Sequence, residues 1–277
     1  MTVTILHETA YAKINLALHV RARRPDGYHE LETLFAFVDA GDELSVAPAD
    51  ELSLTLTGPF AAELAGDPDN LVLRAAHALR EAAGVAEGAA FTLDKRLPIA
   101  SGIGGGSADA AAALRLLVRL WGVNPAAVDM FEIAAALGAD VPACLGSQTM
   151  VGSGVGERLV AADLDIEGLP ILLVNPLLAC PTGPVFKAWD GQDRGPLDPE
   201  KWMQGRNDLE APARALVPEI GAVLVALGQQ PGVTLARMSG SGATCFALFV
   251  DEAARDAAQQ AIRAAHPGWW SLAGALR

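Results

Sequence analysis

Leu97-Pro98-Ile99-Ala100-Ser101-Gly102-Ile103-Gly104-Gly105-Gly106-Ser107-Ala108-Asp109 is the stretch that decides what this chain can be. Four glycines fall within five positions, so the backbone there lacks Cβ atoms, can take positive φ, and can turn several N–H groups toward one point. Ser107 reads as the N-cap of a helix from Ala108 to Trp121, with Leu114, Leu117, Val118 and Trp121 at three- and four-residue spacing and Gly122 as its stop. The strand-like Phe91-Thr92-Leu93 precedes the loop. A glycine loop that opens a helix aims its unpaired N–H groups and the positive end of the helix dipole at the same place, which suits a phosphate. No Lys-Ser or Lys-Thr follows the glycines, which excludes a Walker A loop. Ser107 stands where a dinucleotide fingerprint would place its third glycine, and the loop lies far from the first strand, so a Rossmann reading is weak. A flexible linker would not sit between a strand and a capped amphipathic helix.

Outward from that loop, composition bounds the rest. The 277 residues are 51% hydrophobic, enough for one large or two ordinary domains with a sizeable core. Twenty basic against 33 acidic residues give a net charge of −13, which argues against duplex nucleic acid or an anionic membrane as the main partner. An anionic substrate must then be met by local N–H groups and a few Lys or Arg side chains. Cys144, Cys180 and Cys245 are odd in number and far apart, with no C-x-x-C pair, so a reducing cytoplasm is expected. His7, His19, His29, His77 and His266 are scattered and predict no structural metal cluster. The first residues lack a basic, apolar leader, and no run reaches the roughly 18 apolar residues a spanning helix needs. The expectation is a protein neither exported nor embedded in a membrane.

In chain order, residues 9–20 alternate: Tyr11, Lys13, Asn15, Ala17 and His19 share one strand face, and Ala12, Ile14, Leu16, Leu18 and Val20 the other. The second face predicts core and the first a polar, half-exposed surface, on which a lysine is ordinarily just solvated. Pro25-Asp26-Gly27 predicts a tight turn, flanked by three arginines and by Tyr28-His29, a stacking ring and a hydrogen-bonding ring. Residues 31–38, 42–56 and 89–95 predict further strands, and 71–83 a helix capped by Asn70 and stopped by Gly84. A helix over 125–137 follows, and Asp140 then stands at a helix start, where N-capping is its default task. Beyond a boundary near 155 the chain predicts a strand at 169–175, a long loop from 179 to 200, helical structure over 210–228, strands at 235–238 and 245–250, and a helix at 252–265. The small-residue loop 239–243 separates the last two strands, and 269–276 closes the chain.

Three stretches in this order, Lys13-Ile14-Asn15-Leu16, Pro98 through Ala108, and Ser239-Gly240-Ser241-Gly242-Ala243, resemble the three motifs of the GHMP kinases, the galactose, homoserine, mevalonate and phosphomevalonate kinases. Arg24-Pro25-Asp26-Gly27-Tyr28-His29-Glu30-Leu31, Gly138-Ala139-Asp140-Val141-Pro142 and Asn207-Asp208-Leu209-Glu210 are similar to the branch whose substrate carries a cytidine diphosphate, in the non-mevalonate isoprenoid pathway. The resemblance implies an α+β, two-domain GHMP kinase fold. A ribosomal protein S5 domain 2-like N-terminal part would cover 1–155 and a ferredoxin-like α/β sandwich 156–277, the strand near 270–277 being a candidate to rejoin the first. The active site is expected in the cleft between them.

By the same resemblance, Asp140 matches the general base and Lys13 its charged partner. ATP would lie on Pro98, Ile99, Ala100, Ser101, Gly102, Ile103, Gly104, Gly105, Gly106, Ser107 and Ala108, with Asn70, Leu71 and Lys95 near the adenine. Tyr28 and His29 would sandwich and read the cytosine, Asn15 would hold the acceptor's hydroxyls, Thr182 and Phe186 would line the pocket, and Gly240, Ser241 and Gly242 would buttress the phosphates. Mg²⁺ is expected with ATP and Ser107 is a candidate contact, while spacing alone assigns no acidic ligand. Ala100-Ser101 stand where relatives often carry glycine or other small residues, which should alter loop flexibility rather than chemistry. A monomer or weak homodimer acting on a small molecule is expected. The alternatives are another small-molecule kinase of the same fold, of homoserine or mevalonate type, and a nucleotide-binding protein without catalysis.

Overall fold

The structure, a computed structural model, describes residues 4–66 and 69–277. Its strands and helices run β1 (Leu6–Arg23), β2 (His29–Ala49), β3 (Leu52–Thr57), α1 (Leu71–Ala83), β4 (Gly88–Asp94), α2 (Gly105–Trp121), α3 (Met130–Leu137), α4 (Val141–Gly146), β5 (Met150–Gly154), β6 (Arg158–Ala161), β7 (Pro170–Asn175), α5 (Thr182–Lys187), α6 (Glu210–Leu216), α7 (Glu219–Gly228), β8 (Val233–Met238), β9 (Cys245–Phe249), α8 (Glu252–Ala265) and β10 (Trp270–Ala275). The chain forms two compact units and passes between them several times. Of the described residues, the first holds 4–12, 41–66, 69–99 and 104–147; the second holds 13–40, 100–103 and 148–277.

In the first unit, residues 43–49 of β2 pair antiparallel with β4, and β3 pairs parallel with β4 through the crossover helix α1. Asn70 caps α1 by accepting the Val72 N–H at 2.9 Å, and Gly84 ends it in the left-handed conformation, as the sequence predicts. In α2, Ala108, Ala110–Ala113, Leu114, Leu116 and Leu117 are all buried. A helix apolar on most sides belongs inside, and its alanines let α1 approach closely. The predicted break between strands 31–38 and 42–56 falls elsewhere, because β2 runs unbroken through Gly41. A Cβ at Gly41 would lie 1.9 Å from the Ala10 carbonyl oxygen, so the glycine lets β1 cross against β2. The predicted helix 125–137 is a 3-10 turn at Pro125–Ala127 and then α3, restarted by Asp129, whose carboxylate accepts the Glu132 N–H at 2.9 Å.

In the second unit, residues 31–35 of β2 pair with β5, and β5 with β6. A separate antiparallel sheet has the order β10-β7-β9-β8. With α5–α7 between β7 and β8, and α8 between β9 and β10, this is the ferredoxin-like βαββαβ arrangement. β7 and β9 are buried along their whole length, which explains their unbroken apolar runs. The closing strand pairs antiparallel with β7, and past its end the chain also meets β2, where Leu276 bridges Val38 and the Arg277 N–H donates to the Phe37 carbonyl at 3.0 Å. The helical residues 210–228 divide into α6 and α7, because Pro218 disfavours helical geometry at Val217 before it.

Candidate active site

The N-terminus of α2 lies in the first unit. Gly104, at φ +63°, is its N-cap, and the helix begins at Gly105. Ser107 is therefore a first-turn residue and not the cap; glycine's low helix propensity masked the true start. Without side chains at Gly105 and Gly106, the first-turn N–H groups are left open to an anion. Leu71 touches this turn, since a Cβ at Gly106 would lie 3.4 Å from its Cδ1.

Lys95 stands beneath that turn with 1% exposure. Its ammonium donates to Asp42 Oδ2 at 2.5 Å and to Asp109 Oδ2 at 2.7 Å, so its side chain is committed to two carboxylates. Asp42 Oδ1 also accepts the N–H groups of Arg96 and Leu97 at 2.6 and 2.8 Å, so the triad fixes the end of β4 and the start of the loop to α2. Burial disfavours the Lys95 ammonium, but Asp109 and Asp42 outweigh it and hold its pKa above the usual value. Burial pushes the Asp109 carboxyl up to about 7, against the pull of Lys95 and with the help of the Asp42 charge.

Asp140 stands in the same unit at the N-cap of α4, half-buried, and its side chain makes no capping bond. The default task suggested by its position is thus not the one its carboxylate performs. Arg115, on α2, donates to the carbonyls of Cys144 and Leu145 at 2.7 and 3.1 Å, at the other end of α4.

In the second unit the three motif stretches meet through hydrogen bonds. Ser239 Oγ accepts the Asn15 N–H at 3.1 Å and donates to the Gly102 carbonyl at 3.0 Å. Lys13 N–H donates to the Ile103 carbonyl at 3.0 Å, and Thr244 N–H to that of Ser101 at 3.2 Å. Gly102, at φ +79°, is the close approach: a Cβ there would lie 2.7 Å from the Gly242 carbonyl oxygen and 2.8 Å from that of Ser239. Ala100 takes φ +49°, a conformation glycine adopts more readily, so the departure noted in the sequence has a local backbone cost. Asn207 Nδ2 donates to the carbonyls of Met238 and Gly240, both at 2.8 Å, fixing the third loop.

The polar face of β1 is not half-exposed as predicted. Lys13, Asn15, Ala17 and His19 are all buried, and the polar groups are bonded to one another, to Thr33, and to the backbone of Gly195 and Arg206. Lys13 Nζ donates to Asn15 Oδ1 at 3.3 Å and lies 4.9 Å from the centre of the Phe35 ring; Asn15 Nδ2 donates to Thr33 Oγ1 at 2.7 Å. Arg237, also buried, donates to the carbonyls of Leu16, Trp202 and Met203, and burial lowers its pKa to about 10.

The rings around the Pro25-Asp26-Gly27 turn divide. His29 is buried against Phe186, ring centres 5.1 Å apart, and meets the edge of Trp189 at 5.7 Å. Burial and the neighbouring Arg23 hold the His29 pKa below the ordinary value, which favours the neutral ring. Tyr28 is 65% exposed and is not part of that cluster. Thr182 and Ser241 share a hydroxyl hydrogen bond of 2.9 Å. Sequence reasoning missed Trp189, Asp42, Asp109 and Arg115 as site-building residues, since each acts through a partner some distance away in sequence.

Comparison with known proteins agrees with this geometry. Residues 70–148 match the GHMP kinases N terminal domain and residues 192–268 the GHMP kinases C terminal domain. The fold, the glycine loop and the two joined motifs thus define a small-molecule kinase of the GHMP class. The 4-diphosphocytidyl-2-C-methyl-D-erythritol kinase of Rhizorhabdus wittichii is 59% identical over 98% of this chain and 94% of its own length. That of Novosphingobium aromaticivorans is 57% identical over 98% and 93%. A crystal structure of 4-(cytidine 5'-diphospho)-2C-methyl-D-erythritol kinase superposes with a TM-score of 0.84 at 37% identity, covering 98% of this chain and 99% of that one. The homoserine kinase of Cytophaga hutchinsonii, at 20% identity and a TM-score of 0.69, shares the fold. The chain belongs to the 4-diphosphocytidyl-2-C-methyl-D-erythritol kinase family. Members of a kinase family take ATP as phosphate donor. Among the described residues, no helix is long and apolar enough to cross a membrane.

Proposed function

We propose that the chain transfers the γ-phosphoryl group of ATP to the 2-hydroxyl of 4-diphosphocytidyl-2-C-methyl-D-erythritol, giving the 2-phosphate and ADP. The observation that carries this reading is near-full-length identity of 59% to a kinase of that name. The hydrogen-bonded meeting of Asn15, Gly102 and Ser239 supports the kinase chemistry, and the buried His29–Phe186 pair supports a base-bearing acceptor, since homoserine and mevalonate have no ring to stack.

Asp140 takes the proton of the 2-hydroxyl as its oxygen forms a bond to the γ-phosphorus and the bond to the ADP oxygen breaks. Lys13 stabilises charge on the group in transfer, and the first-turn N–H groups of α2 hold the phosphates. Asn15 orients the acceptor, Phe186 stacks on the cytosine, and neutral His29 hydrogen-bonds its edge, with Thr182 and the loop Gly240, Ser241 and Gly242 beside them. Pro98 through Ala108, Asn70 and Leu71 form the ATP side.

Among the described residues, no three metal-binding side chains cluster. An Mg²⁺ ion would arrive with the nucleotide and take most of its ligands from phosphate and water. Ser107, in the first turn of α2, is the hydroxyl that would meet it, and the ion supplies charge neutralisation. The protein acts in the cytoplasm as a monomer or weak homodimer, without nucleic acid or membrane.

Competition tests the acceptor. Cytidine and cytidine diphosphate should inhibit turnover competitively against the acceptor and not against ATP. Inhibition by neither, or competition against ATP alone, would contradict a cytosine pocket at His29 and Phe186.

A further inference from the structure

We infer that Arg115 is a positioning residue for Asp140, acting through the short helix α4; the inference rests on the reading of Asp140 as base. Helix α4 has six residues, too few to hold itself in place by its own hydrogen bonds. Its side chains Val141, Pro142, Ala143 and Cys144 are buried, and Asp140 stands at its head with no capping bond. What fixes its tail is polar. Arg115 Nη1 holds the Cys144 and Leu145 carbonyls at 2.7 and 3.1 Å, and Ser147 Oγ donates to the Cys144 carbonyl at 2.7 Å. A cation at the carbonyl end of a helix is favourably placed against its dipole.

Arg115 is itself held. Its Nε is paired with Glu8, and Arg119 Nη2 donates to the other oxygen of the same carboxylate at 2.6 Å. The guanidinium is therefore oriented from one side by β1 while it grips α4 on the other. Ten residues separate Arg115 from Gly105, about 15 Å along α2 at 1.5 Å per residue. One rigid helix thus presents the phosphate-holding turn at its start and sets the position of the base-bearing helix from its middle. A lysine could not reproduce the grip, because an ammonium lacks the flat fork that serves a carboxylate and two carbonyls together.

The test uses the full chain and the variants Arg115→Met and Arg115→Lys. Misplacing a reacting group by about 1 Å can cost roughly a hundredfold in rate, so Arg115→Met should lower kcat about tenfold or more and change either KM less than about threefold. Arg115→Lys should recover part of kcat. Cys144, buried in α4, supplies a readout apart from activity: its alkylation rate should rise about tenfold or more as α4 loosens, while those of buried Cys180 and Cys245 stay unchanged. In an Asp140→Asn background, adding Arg115→Met should cost less than about twofold more. Normal kcat in Arg115→Met, unchanged Cys144 labelling, or a full additional loss in the Asp140→Asn background would overturn the inference. Normal turnover by Asp140→Asn alone would instead remove the base, a separate failure. Should Arg115→Met fail to fold, Glu8→Gln unpairs the guanidinium without deleting it. That variant should lose about threefold or more in kcat with the same selective Cys144 labelling, and wild-type values for both would overturn the inference.

Discussion

Ser239→Ala is the substitution that asks most of the structure. The Ser239 hydroxyl is fully buried and serves two backbone groups, accepting the Asn15 N–H at 3.1 Å and donating to the Gly102 carbonyl at 3.0 Å. Alanine fits the space but leaves both groups without that partner inside the protein. An unsatisfied buried polar group costs about 1–3 kcal/mol, so the two together should cost about 2–6 kcal/mol. At about 2–4 °C per kcal/mol for a protein of this size, Tm should fall by at least about 4 °C. Urea unfolding, with the slope m unchanged, reads the free energy directly. The same hydroxyl joins the strand bearing Lys13 and Asn15 to the glycine loop, so KM for ATP should rise as well. A loss below about 0.5 kcal/mol together with an unchanged KM would refute the claim that this hydroxyl joins the three motifs.

Asp140→Asn should keep ATP and acceptor binding, measured by calorimetry, and lower kcat about 10²- to 10⁴-fold, because the base is lost and the shape is kept. Near-normal turnover would remove Asp140 from the mechanism. Gly102→Ala should give a protein with weakened ATP binding and a lowered Tm, since its Cβ would meet two carbonyl oxygens below 3 Å at a positive φ; a wild-type Tm would contradict that packing. His19 accepts the Arg206 N–H on Nε2 at 3.3 Å, and burial and the Arg206 charge lower its pKa. Below about pH 6.5 the unfolded chain binds the proton first, so this contribution to stability falls with pH down to the folded pKa and is constant above about 6.5. His29 shifts in the same direction, so the comparison needed is with His19→Gln: the stability advantage of wild type should narrow from about pH 7 to about pH 5, and a constant or widening gap would count against a buried neutral His19.

The glycine loop and the helix it opens were legible because glycine freedom and a following amphipathic run are local signals, and so were the N-cap at Asn70 and the strand carrying Lys13. What escaped was the partner of each buried polar group. Alternation along residues 9–20 separates two faces but cannot say that the polar one is covered; Thr33, Gly195 and Arg206, which bond Asn15 and His19, come from elsewhere in the chain. That Lys95 is held by two carboxylates was not legible, because they lie 53 and 14 residues away. Arg115 gave no signal, since a guanidinium bound to carbonyls leaves no trace in residue type at the accepting end. Trp189 was hidden in a proline- and glycine-rich loop, where an aromatic residue reads as incidental. The start of α2 was misjudged for the reason that makes the loop useful, that glycine both binds anions well and forms helices poorly.

The central claim is tested most directly by ATP consumption with the purified protein, Mg²⁺ and 4-diphosphocytidyl-2-C-methyl-D-erythritol, beside parallel reactions with homoserine, mevalonate and free cytidine. Turnover of the first substrate alone, with one ADP formed per 2-phosphate, is the predicted result. Turnover of homoserine or mevalonate and not of the first would contradict the acceptor while keeping the kinase, and ATP binding without turnover of any of them would contradict the kinase itself.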